Sequence, residues 1–117
     1  MVSFLIPKRV EKFDQAVVHE CMGRIRMLEK TIEQALVKRV KELGGMCEKF
    51  TSPGRRAVPD RIVTLPVAGK PARIIFVEIK APGKKPTIMQ QFDHERRRLL
   101  GCDVRVIDDI LDAKAFK

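Results

Sequence analysis

The run Arg73-Ile74-Ile75-Phe76-Val77-Glu78-Ile79-Lys80 constrains this chain more than any other stretch. Side chains on a β-strand alternate between faces, so Ile74, Phe76, Glu78 and Lys80 share one side. Glu78 and Lys80 therefore sit together at the end of an otherwise apolar strand. The nearly unbroken apolar centre suggests burial on both faces, as in a sheet covered on two sides.

A second strand, Arg61-Ile62-Val63-Thr64-Leu65, opens directly after Pro59-Asp60. As a neighbour of the first, it can bring Asp60 close to Glu78 and Lys80. Two carboxylates suit Mg²⁺ or Mn²⁺, and an adjacent ammonium suits a metal-bound water and a phosphate. An acid at the mouth of one strand, then Glu-x-Lys on the next, is how metal-dependent nucleases place their groups. The pattern reads as phosphodiester hydrolysis. Glu-x-Lys alone is more often a solvated strand end or a surface ion pair, so its surroundings must decide.

Upstream, Leu28, Ile32, Ala35, Leu36, Val40 and Leu43 recur at helical spacing, predicting a helix from about 28 to 43 that Gly44-Gly45 terminates. Glu29 falls inside the apolar stripe and Glu33 at its edge. Two readings stand for Glu29: an acid compensated by a metal, or a first-turn acid favoured by the helix dipole. Downstream come a short strand over 46–50 and an irregular loop carrying Arg55-Arg56. Pro66 to Pro71 reads as a turn, and Ala81 to Pro86 as a stiff basic loop with Lys84 and Lys85. A helix over 88–100 takes Ile88, Met89, Phe92, Leu99 and Leu100 as its packing contacts. A strand over 104–107 and a closing helix over 109–116 complete an α/β arrangement: a small central mixed sheet flanked by helices. Residues 1–26, with Pro7 interrupting the opening and a loose helical pattern over 10–25, read as an N-terminal helical extension to a domain over 27–117.

The 117 residues suffice for one core but not two. Net charge of +9 and a pI near 9.9 favour a polyanionic partner, most plausibly nucleic acid. Six Phe, with no Trp or Tyr, argue against a base-stacking platform. Cys21, Cys47 and Cys102, with His19 and His94, form no zinc spacing and read as buried free thiols in a reducing cytosol. The apolar start, Val2 to Ile6, is too short for a signal or a membrane span, so a soluble cytoplasmic protein is expected.

Taken together, several segments resemble a known family. Ile32-Glu33-Gln34-Ala35-Leu36-Val37, then Gly44-Gly45, then Lys49-Phe50-Thr51-Ser52-Pro53-Gly54 resemble the front half of a stand-alone VRR-NUC domain. Val58-Pro59-Asp60-Arg61-Ile62-Val63 and Phe76 through Pro86 resemble its core. Gln90 stands where that family carries a glutamine, and Ala57 where many relatives have Gly.

The resemblance covers about Glu29 to Ile107 and implies a restriction-endonuclease-like fold of the PD-(D/E)xK superfamily. It implies Asp60, Glu78 and Lys80 as the catalytic signature, with Glu29 and Gln90 in support. Asp60, Glu78, the Ile79 carbonyl and Glu29 would serve Mg²⁺ or Mn²⁺, and Arg55, Arg56, Lys84 and Lys85 would flank the scissile phosphate. Thr87-Ile88-Met89-Gln90 also fits a capping box, so Gln90 has a structural reading of equal weight. The implied activity is structure-selective DNA cleavage, as by a homodimer on four-way (Holliday) junctions in a bacterial or phage-infected cell. Flap or general DNA cleavage, and a non-catalytic basic binding module, are the alternatives.

Overall fold

The computed structural model describes the backbone of residues 2–117 and the side chains of residues 17–117. The elements are α1 (Val2–Glu42), β1 (Met46–Lys49), β2 (Arg61–Val67), β3 (Lys70–Ile79), α2 (Ile88–Leu99), β4 (Asp103–Ile107) and α3 (Ile110–Lys114). The four strands form one mixed sheet in the order β1-β2-β3-β4, antiparallel except for the parallel pair β3–β4. A parallel pair needs a crossover, and α2 provides it. This is the mixed, helix-flanked sheet of a restriction-endonuclease-like core.

One face of the sheet carries the apolar core. Val63, Leu65, Ile75, Val77, Ile79 and Ile107 pack there against Ile32, Leu36 and Val40 of α1 and against Ala113 and Phe116 at the C-terminus. The α1 residues lie four apart, one turn after another, which is why this stretch docks as a helix. Gly45 lets α1 turn directly into the sheet. A Cβ at that position would collide with the Thr64 carbonyl oxygen and lie 2.9 Å from Leu65 Cδ2.

Three expectations are corrected. The helix does not begin near residue 28; α1 runs unbroken from Val2 through Pro7 to Glu42, so residue 26 lies inside it. Its 41 residues make a rod of about 60 Å, far longer than the 29 Å second dimension of the molecule. Glu29 is therefore a mid-helix residue, and the first-turn dipole reading falls away.

The expected turn over 66–71 is shorter. The strands continue to Val67 and restart at Lys70 around Ala68-Gly69, with Gly69 at φ 69°. The pairing slips between Leu65 and Val67, where Pro66 has no N–H to give to a ladder. The first half of β3 outruns the helices, so Ile74 is 56% exposed and burial starts only at Ile75.

Helix α2 departs most from its pattern. Ile88, Met89, Phe92, Leu99 and Leu100 all face solvent, whereas Asp93 and His94 are buried. The inward positions are Gln90, Asp93, His94 and Arg97, at the same i, i+3, i+4, i+7 spacing that an apolar face would show. Arg97 explains how a polar face can pack. Its guanidinium lies 5.2 Å and 4.9 Å from the Phe50 and Phe76 ring centroids, and Asp93 holds it at 2.7 Å.

Among the described residues, no helix is long and apolar enough to cross a membrane. The three cysteines are free, but Cys21 is exposed and Cys47 and Cys102 half-buried, so they are not the core thiols expected.

Candidate active site

Antiparallel register decides where Asp60 lies. Arg61 pairs with Val77, so the residue before β2 comes level with the end of β3. Asp60 Oδ2 accepts the Ile79 backbone N–H at 2.8 Å, and the Asp60 carbonyl accepts the Phe50 N–H at 2.9 Å. Val58 and Pro59, both buried, fix the chain entering this point. Among the described residues no residue other than glycine has positive φ, so Ala57 sits in the loop without strain.

Glu78 is 2% exposed and Lys80 8%. Glu78 Oε2 accepts from Gln90 Nε2 at 3.0 Å and faces Lys80 Nζ at 3.5 Å. Its other oxygen, Oε1, is buried without a hydrogen-bond partner. Burial pushes the Glu78 carboxyl up to about 7, and the neighbouring Asp60 charge adds to the rise while Lys80 opposes it. Asp60 is also raised, chiefly by burial, with the Ile79 N–H working against the shift. Two acids thus share one ammonium, and one buried oxygen is orphaned.

That imbalance is what a hard cation would relieve, and carboxylate oxygens are its preferred donors. Among the described residues no three His, Cys, Asp or Glu side chains converge into a closed metal cage. A donor set of one or two carboxylates still fits an ion that keeps waters and substrate phosphates as its other ligands. The residues fit Mg²⁺ or Mn²⁺ on that basis.

Gln90 holds two posts at once. Thr87 caps α2, its hydroxyl accepting the Gln90 N–H at 3.2 Å, while Gln90 Oε1 accepts the Thr87 N–H at 2.9 Å. The amide oxygen closes the capping box and leaves the amide nitrogen for Glu78. The two readings of this residue are compatible because one amide offers both an acceptor and donors.

An open cavity of about 400 Å³ lies beside the acids, lined by Arg26, Glu29, Lys30, Glu33, Lys49, Asp60 and Ile79. Glu29 thus shares a space with Asp60, although the two are far apart in sequence. Glu33 is partly neutralised by Arg61 at 3.0 Å, and Arg61 also donates to the Cys47 carbonyl at 3.2 Å. Glu78 and Lys80 stand behind this wall.

The basic loops are distributed differently. Arg55 reaches the buried Asp93 at 3.3 Å, tying its loop to α2, while Arg56, Lys84 and Lys85 are exposed. Nor is the Arg96-Arg97-Arg98 run a uniformly solvated face: Arg97 is held inward, and Arg98 donates to the Val104 carbonyl at 2.9 Å.

A solved VRR_NUC domain superposes on this chain with a TM-score of 0.67 at 32% identity, covering 74% of this chain and 90% of the other. The chain belongs to the VRR-NUC family. A phage protein, "Putative nuclease p44" of Acyrthosiphon pisum secondary endosymbiont phage 1, is 52% identical over 80 residues, spanning 68% of this chain and 82% of its own length. No protein-family model matches the chain.

Several residues of this VRR-NUC site were not singled out in the sequence. Arg26, Lys30 and Lys49 line the cavity but come from α1 and β1, which only tertiary packing brings side by side. Asp93 and His94 were hidden by the assumption that the apolar side of α2 faces inward. Their polar i, i+3, i+4 pattern with Gln90 was the available signal. His94 is 1% exposed with Nε2 unpartnered, and burial, then Arg98, lowers its pKa.

Proposed function

We propose that this chain is a metal-dependent DNA endonuclease that hydrolyses phosphodiester bonds, acts on branched DNA and works as a homodimer on four-way junctions. The observation that carries the chemistry is the meeting of Asp60, Glu78 and Lys80 where β2 begins and β3 ends, in a chain of the VRR-NUC family. Asp60 and Glu78, with the Ile79 carbonyl and Glu29 as further donors, would hold Mg²⁺ or Mn²⁺, which when bound supplies Lewis acidity toward the phosphate and counters its negative charge.

The protein's own groups then divide the remaining work. Lys80 is nearly buried, so its ammonium is held in place and can face charge that develops on the scissile phosphate. Gln90 fixes the Glu78 carboxylate through its Oε2. Arg26, Lys30 and Lys49 on the cavity wall, with Arg56, Lys84 and Lys85 on the loops, contact backbone phosphates without reading bases. Such a site favours DNA shape over sequence. One small site cuts one strand, and a two-fold assembly supplies the second, symmetric cut. The products would carry a 5′-phosphate and a 3′-hydroxyl.

The test is cleavage of an end-labelled four-way junction, a flap and a plain duplex by wild type and Asp60→Ala, each with Mg²⁺, Mn²⁺ or EDTA. Paired, metal-dependent cuts near the junction centre, lost in the variant, are expected. Preferential cutting of flap or duplex would discard the junction and keep the enzyme. Salt-sensitive binding without cutting in either metal would leave a binding module instead.

A further inference from the structure

The outer face of α2 is unpartnered and apolar. Ile88 is 70% exposed, Met89 67%, Phe92 67%, Leu99 80% and Leu100 79%. At about 100° per residue these five occupy an arc of about 120°, opposite the polar arc that packs on the sheet. An amphipathic helix docked by its polar side leaves the hydrophobic side with no partner in its own fold. At these exposures the face carries on the order of 700 Å². That exceeds the roughly 300–600 Å² of the largest apolar patch on an ordinary monomer, and approaches the about 800 Å² each partner gives to a standard interface. The patch continues onto the sheet edge through a groove of about 390 Å³, where Ile88, Phe92 and Glu95 meet Val106 of β4.

We propose that a second copy of this chain covers this face, α2 packing antiparallel on α2 about a two-fold axis. The charge pattern favours self-association over an unrelated partner. Glu95 and Arg96 interrupt the apolar stripe at its middle, and neither enters an ion pair among the described residues. A two-fold axis through the Glu95–Arg96 step sets Phe92 opposite the second copy's Leu99 and Glu95 opposite its Arg96. Each of these contacts occurs twice, so the stripe is self-complementary. The proposal deepens the homodimer part of the reading above and does not rest on its chemistry. The same helix carries Gln90 into the site, so this axis also brings two active sites onto one assembly.

Sedimentation equilibrium of the full chain without DNA tests it, beside Phe92→Asp/Leu99→Asp, Glu95→Arg and the exchange Glu95→Arg/Arg96→Glu. Wild type should be dimeric at micromolar concentration. The apolar double variant should raise the dissociation constant by about a hundredfold or more. Glu95→Arg alone should weaken the dimer and the exchange should restore it, which only a contact between like faces can do. Circular dichroism melts report folding separately, and these exposed positions should leave the melt of a monomeric variant cooperative. A monomeric wild type, or a dimer indifferent to all three variants, overturns the proposal. The first outcome would assign the face to a different protein. Because no cleavage is measured, an inactive chain leaves this result unaffected, and a monomeric chain that still nicks DNA leaves the chemistry standing.

Discussion

Replacing Glu78 with Gln removes the charge that the site accommodates least well. In the folded chain the Glu78 carboxyl is raised from an ordinary 4.5 to about 7, by burial first and by Asp60 second. A raised acid means that the folded state binds more protons than the unfolded chain between those two values. Stability is therefore fully present below about pH 4.5 and is lost as pH rises through about 7. The rise corresponds to about 3 kcal/mol. Glutamine is uncharged and keeps an acceptor for Gln90, so Glu78→Gln should escape the loss.

Urea unfolding of both proteins from pH 4.5 to 8.5, in EDTA, gives the difference directly. His94, whose lowered pKa has the opposite sign and costs stability as pH falls, titrates in both proteins and largely cancels. Asp60 is linked to Glu78, so the measured difference belongs to the pair. Wild type should lose about 3 kcal/mol relative to the variant by pH 8. Millimolar Mg²⁺ should restore much of it to wild type and little to Glu78→Gln, by mass action on the folded state. Parallel curves across that range would refute the account of a buried, over-charged acid pair.

Gly45→Ala should cost at least about 2 kcal/mol in chemical denaturation, because its Cβ meets a backbone oxygen that cannot swing away. Asp93→Ala should cost about 3 kcal/mol, since it strands Arg97 over two rings and frees Arg55; removing the exposed Glu20 partner of Arg24 should change stability by less than about 0.5 kcal/mol in the same assay. Gln90→Ala should lose about 1 kcal/mol of capping together with the Glu78 contact. Gln90→Glu can keep the box but adds a third acid, so its stability should fall more steeply with pH than wild type, read from the same urea series.

Much of this molecule is legible in its sequence because the information is local. Alternation along Arg73 to Lys80 places Glu78 and Lys80 on one side of a strand whatever surrounds it. Apolar spacing from Ile32 to Val40, closed by Gly44-Gly45, writes a docked helix, and the order of helices and strands follows from such periods. What the sequence leaves open depends on residues far apart along the chain. Only the β2–β3 register sets Asp60 against Ile79, and only the seating of α1 beside β1 gathers Arg26, Glu29, Lys30 and Lys49 around one cavity. Helix α2 marks the boundary most sharply. Its periodicity fixes two faces, one apolar and one polar, but a period cannot say which face turns inward. Tertiary structure chose the polar one, because two phenylalanine rings and a buried aspartate receive Arg97, and Glu78 receives Gln90.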